Sequence, residues 1–228
     1  MADSAAGSKN GAGAGAQAVS AVMMVALVTA GIWLLAQVLP QNSGAASEPA
    51  TCSKEDSRPP ARYVSGTQLC EALNRKDLPA MLGTPDEHAE TASGSGGHTT
   101  VAGDAKVAGP EANVTLKSYS VKLSASYDRL SVADWTELLG ASAEPRTILG
   151  HPAVLYSDRT IAITFGSDKA DAGPGGIARR LVVAKDAKDG GGAFEVAIWR
   201  QDDVTPDDAA LLRVAEAVLP TVPGWNKA

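Results

Sequence analysis

The chain has 228 residues, 44% of them hydrophobic and 4% aromatic, with a formal net charge of -6 at pH 7. Every charged side chain except Asp3 and Lys9 lies beyond residue 46, so the acidic excess belongs to the C-terminal part and argues against a general binder of nucleic acid or other anionic polymers. With so few aromatics, Trp135, Trp199 and Trp225 read as core or element-end packing and not as a stacking platform.

Residues 1–16 are small and nearly uncharged and are expected to form a disordered tail. Gly11, Gly13 and Gly15 follow no strand and lack the glycine spacing of a dinucleotide fingerprint. From Ala18 to Leu39 no charged residue occurs. At ~1.5 Å of rise per residue this run spans roughly 33 Å, against a hydrocarbon core of about 30 Å, which predicts one transmembrane helix over 17–39 and makes the lipid bilayer the first expected partner. Ser43-Gly44-Ala45 offers small residues to a signal peptidase. The apolar run is nevertheless longer than a signal h-region and only Lys9 precedes it as a basic side chain, so the span is expected to stay uncleaved. The charges flanking it are too balanced for the positive-inside rule to orient it. No lipobox leads into Cys52.

Residues 40–60 are rich in Ser, Pro, Glu and Asn and read as a linker to one domain over 61–228. The two cysteines, Cys52 and Cys70, are expected to pair in an oxidising compartment, which places that domain outside the cytoplasm. Closing such a loop contributes roughly 3 kcal/mol. The alternative is two reduced thiols, Cys70 buried on a helix and Cys52 free.

Within the domain, Ser65 and Gln68 have capping-box spacing at the head of a helix carrying Leu69, Ala72 and Leu73. Asp77 is expected to cap the next helix, which carries Leu78, Met81 and Leu82 and stops at Gly83. The Ser, Gly and Thr of residues 84–111 predict mainly a mobile loop, with a strand near Thr99 to Ala102. Tyr119, Val121, Leu123, Ala125 and Tyr127 alternate as in a strand, while Val114 and Leu116 have the opposite parity, predicting a bulge near Lys117 and Ser118. Ser131 to Leu139 is a capped helix expected to bury Val132, Trp135, Leu138 and Leu139. Two hairpins are expected next, Ala153–Tyr156 with Ile161–Phe165 about Ser157-Asp158-Arg159, and 180–185 with 193–199 about Asp189-Gly190-Gly191. Thr205 is expected to cap a closing helix with Pro206 at its first position and Leu211, Leu212, Ala215, Val218 and Leu219 on one face. The order predicts an α+β domain, a mainly antiparallel sheet packed against N-terminal and C-terminal helices.

No catalytic, metal or cofactor motif emerges. His88 and His98 lie in the Gly-Ser segment, His151 reads as a strand-edge residue, and no Gly-x-Ser-x-Gly elbow occurs. The run Lys185 to Gly190 resembles a calcium loop only in two carboxylates near a glycine turn, so a solvated hairpin is expected. Asn113-Val114-Thr115 matches a glycosylation sequon inside a strand.

The segments ARYVSGTQLCEALNRKDLPAMLG, TILGHPAVLYSDRTIAITF, LVVAKDAKDGGGAFEVAIWR and TPDDAALLRVAEAVLPTVPGW, following the span, resemble uncharacterised single-pass membrane proteins of Streptomyces-type actinobacteria. More loosely they are similar to actinobacterial cell-surface lipoproteins, without the lipid-carrying cysteine. The resemblance implies an extracytoplasmic domain and transfers no site residue. The expected function is a membrane-anchored, non-catalytic module that binds an envelope protein or small ligand. An envelope enzyme built from distant residues, with His151 and Asp158 as candidates, is the alternative from another class. A structural partner in a membrane complex is a third.

Overall fold

A computed structural model describes residues 48–53, 63–101, 105–165 and 170–226. The predicted tail and span lie outside the described residues, among which no helix is long and apolar enough to cross a membrane. Glu48–Ala228 forms one compact unit. It is built on a seven-stranded antiparallel sheet with helices on both faces, the predicted α+β class.

The first helix, α1 (Gly66–Leu73), begins as its capping box requires: Ser65 Oγ accepts from the Gln68 amide at 3.1 Å and the Ser65 amide donates to Gln68 Oε1 at 2.9 Å. Leu69, Cys70 and Leu73 are buried on its inner face. Cys70 meets Cys52 at disulfide distance, with an S–S separation of 1.99 Å and Cα atoms 5.9 Å apart. Residues 48–53, within the segment read as a linker, are thus held by the domain, because the Ala50 amide also donates to Ala89 O and Asn74 Nδ2 to Ala50 O. After α2 (Leu78–Met81), Gly83 turns the chain at φ +83°. Asp77 does not cap α2; Arg75 takes both its carboxylate oxygens, at 2.8 and 2.7 Å, since a bidentate guanidinium outcompetes an amide two residues on.

The glycine-rich segment is not the predicted loop. It forms β1 (Thr91–Val101), paired over its whole length with β2 (Ala105–Thr115). Two of its neighbours explain the glycine content. A Cβ on Gly94 would stand 2.1 Å from Gly66 O, and one on Gly66 2.3 Å from the Ser95 nitrogen, so α1 and β1 meet backbone to backbone. The parity switch at Lys117 and Ser118 is likewise not a bulge. These two residues turn β2 into β3 (Tyr119–Ser126), with the Leu116 amide donating to Tyr119 O at 2.7 Å, so the two parities belong to two strands.

Next come α3 (Val132–Leu139), β4 (Glu144–Ile148), β5 (His151–Phe165), β6 (Ala170–Ala184) and β7 (Ala193–Arg200). The residues Ser157, Asp158 and Arg159 do not turn the chain. β5 runs through them with a register shift between Arg159 and Ile161, and pairs with β6 along most of its length. The predicted hairpin of β6 and β7 is present, with Asp189 at φ +53° and Gly191 at φ +95° in its turn. The sheet order is β1-β2-β3-β7-β6-β5-β4. The last strand therefore enters beside β3 and joins two meanders.

The closing helix α4 (Asp208–Val218) starts two residues later than expected: Asp207, not Thr205, is its N-cap and accepts from the Ala209 amide at 3.2 Å. Leu211, Val214, Ala215 and Val218 are buried, Leu212 is half-buried, and a short 3-10 turn over Leu219–Thr221 takes in Pro220. Its first turn is fixed by Arg179, which donates to both oxygens of Asp208 at 2.5 and 2.8 Å, to Glu144 at 3.2 Å and to Ser157 Oγ at 2.7 Å. The Asp208 hydrogen bonds hold the Arg179 guanidinium above its ordinary pKa.

Helix α1 packs on β1, β2 and β3, and α4 on β6 and β7, with the main core beneath them. On the opposite face α3 packs on β5 and β6 over a second cluster of Val132, Val154, Tyr156, Val182, Ala184 and Ala193. Leu138, expected in that contact, is 73% exposed, because an eight-residue helix presents one narrow stripe and Val132, Trp135 and Leu139 fill it.

Candidate functional site

One short helix leaves much of this second face open. Pairing register reads out the uncovered floor in rows: Glu111, Ser124, Glu195 and Val182 lie side by side, and the next row is Asn113, Lys122, Ala197, Arg180 and Tyr156. Diagonal neighbours in these rows pair. Lys122 Nζ is 2.5 Å from Glu111, and Arg180 Nη1 is 2.6 Å from Glu195, both half-buried. Tyr156 sits beside Arg180, 7% exposed, and burial together with the Glu195 carboxylate pushes its phenol up to about 12.

That shift has a signed consequence. The folded state holds the Tyr156 proton more tightly than the unfolded chain does, so its contribution is complete below about pH 10 and is lost as the pH rises towards 12. Between about pH 9 and pH 11 the loss is expected to reach about 1 kcal/mol, and Tyr156→Phe should remove that part of the slope. Urea melts of both proteins at the two pH values check it, parallel slopes being the contrary result.

A cavity of about 180 Å³ opens at one end of the floor. Pro110 explains where. β2 pairs with β3 only over Glu111–Thr115, and its preceding residues pair with β1 alone, because Pro110 has no amide to carry the ladder further. Beyond that point the cavity is lined by Val107, Ala108 and Gly109 on the β2 side and by Ser124 and Ser126 on the β3 side. Trp135 of α3 closes it over Val182 and Ala193, and its indole Nε1 is buried with no hydrogen-bond partner among the described residues. A buried donor left unpaired costs about 1–3 kcal/mol. Three carboxylates, Glu111, Asp128 and Glu195, line the cavity with Lys122 as the cation. Lys122 and Arg180 satisfy Glu111 and Glu195, while Asp128 has no cation at ion-pair distance among the described residues and accepts only from the Leu130 amide, at 3.1 Å.

The orientation of Trp135 comes from the N-terminal end of α3, which is fixed twice. Ser131 and Asp134 form a capping box, and Asp189 reaches from the β6–β7 turn to accept from the Val132 and Ala133 amides at 2.7 and 3.1 Å. The run compared with a calcium loop is therefore a dock for α3, and no cluster of three metal-ligating side chains occurs among the described residues. His151 is not on an edge. It is fully buried on the main-core side, with Nδ1 2.9 Å from Ala184 O and its ring stacked on Trp225 at 4.0 Å, which pins the C-terminal segment. Asp158 is seven residues along β5 on the other face, exposed and facing Arg180 at 3.8 Å, so the two enzyme candidates are not brought together. His88 lies before β1 and His98 on it.

The fold and cavity define a small α+β module with one open sheet face. The chain belongs to a family of unknown function, DUF6215, whose model matches residues 9–142. No curated protein and no solved structure matches it. The matched part includes Pro110, Asp128 and Trp135, whereas Val182, Ala193 and Glu195 lie beyond it.

Proposed function

We propose that this chain is a membrane-anchored, non-catalytic binding module of the cell envelope, held by residues 17–39 with its folded domain outside the cytoplasm. The observation that carries the reading is the Cys52–Cys70 pair at the entry to the domain, since such bonds persist in oxidising compartments. The Trp135 cavity supplies the binding half, with the Asp128 carboxylate, left without a cation, lining a concavity beside the Trp135 ring. Likeness to single-pass proteins of Streptomyces-type actinobacteria supports the same placement.

In intact cells, a membrane-impermeant maleimide is expected to label neither cysteine until a reductant is added. Labelling of free thiols by a membrane-permeant reagent alone would put the domain in the cytoplasm and end the envelope reading.

A further inference from the structure

We propose that the cavity beside Trp135 takes a Lys or Arg side chain from an extended peptide segment of a partner protein, a reading that rests on the binding role above and names its ligand class. Size comes first. At about 180 Å³ the space lies below the ~300–1,000 Å³ of pockets for drug-sized ligands, so it suits one side chain and not a whole organic ligand.

Charge selects the side chain. With Glu111 and Glu195 already paired, Asp128 is the carboxylate left over, and an incoming ammonium or guanidinium supplies the ion pair it lacks. An anion would meet three carboxylates against Lys122. The backbone selects a peptide. Val107, Ala108 and Gly109 belong to a strand that has lost β3 as a neighbour on this side, and an extended segment laid along it matches that edge beside the Trp135 ring. A simple amine has the cation but not the strand.

The test uses the full chain in detergent micelles with ¹⁵N-labelled tryptophan, which gives four indole signals, the Trp135 one assigned by Trp135→Phe. The probes are acetyl-Thr-Val-Lys-Val-Thr-amide, its norleucine and Glu counterparts, n-butylamine, and a chitin oligosaccharide. The Lys peptide is expected to move the Trp135 signal saturably and to bind at least about tenfold more tightly than the other four, a preference that Asp128→Asn should erase. Because Asp128 also accepts from the Leu130 amide, Glu111→Gln serves as a second variant that leaves that bond in place; it frees Lys122 and should weaken the Lys peptide in the same sense.

Equal binding of the norleucine peptide overturns the cation. Equal binding of butylamine overturns the peptide, and a response to the oligosaccharide alone, or to nothing, overturns the proposal as a whole. Any of these results can coexist with reductant-dependent maleimide labelling, so a failure here is distinguishable from a failure of the envelope placement.

Discussion

Gly94→Ala is expected to be among the most damaging single substitutions in the domain, lowering its stability by about 3 kcal/mol or more. The added Cβ would stand 2.1 Å from Gly66 O, 2.3 Å from the Gly66 carbonyl carbon and 2.9 Å from the Thr67 nitrogen, all backbone atoms that no rotamer change can move aside. Relief requires α1 to lift off β1, yet α1 is tied by the Cys70–Cys52 pair and by its buried Leu69 and Leu73. Gly173→Ala on β6 is the matched control, since nothing lies within 4 Å of its would-be Cβ. Urea denaturation should separate the two by several kcal/mol, and similar midpoints would refute the close approach of helix and strand.

Val218→Asp is expected to cost about 4 kcal/mol or to prevent folding, a large share of a typical domain's stability. Val218 is fully buried in the main core with Leu211 and Val214, and no cationic side chain is among the buried residues of that cluster to receive a carboxylate. Leu212→Asp should cost less because Leu212 is only half-buried. Arg213→Ala removes one exposed hydrogen bond, 3.0 Å to Met81 O, for a loss of about 1 kcal/mol, and Glu216→Ala should stay within about 0.5 kcal/mol. Thermal or urea melts giving another order would overturn the assignment of the buried face.

Gly94 and Val218 both lie on the side of the sheet that α1 and α4 cover, and among the described residues the other side carries only α3. Arg179 clamps α4 to β4, β5 and β6, and His151 holds Trp225, both on the covered face. Asp189 secures α3 from the turn at one end of the open face. Trp135 is positioned by the capped start of α3, and the β2 edge of the cavity by its pairing to β1.

Local chemistry was sufficient wherever partners are close in sequence. The capping boxes at Ser65 and Ser131, the stop at Gly83, the turn at Asp189 to Gly191, the alternation of β3 and the amphipathic face of α4 all depend on residues within a few positions of one another. The α+β class and the pairing of Cys52 with Cys70 followed from these and from cysteine arithmetic. Tertiary structure decided the rest, because its causes act across the fold. Gly94 looks like loop until α1 presses on β1, Gly97 until the Gly109 carbonyl of β2 lies against it, and Ser157 to Arg159 look like a turn until β6 pairs alongside. Thr205 loses the cap to Asp207 as Arg179, 29 residues before Asp208, fixes the helix start. The cavity beside Trp135 was illegible for the same reason. Gly109, Asp128, Trp135 and Glu195 share no motif or period, and only the insertion of β7 beside β3, the end of the β2 ladder at a proline and the docking of α3 by Asp189 bring them to one concavity.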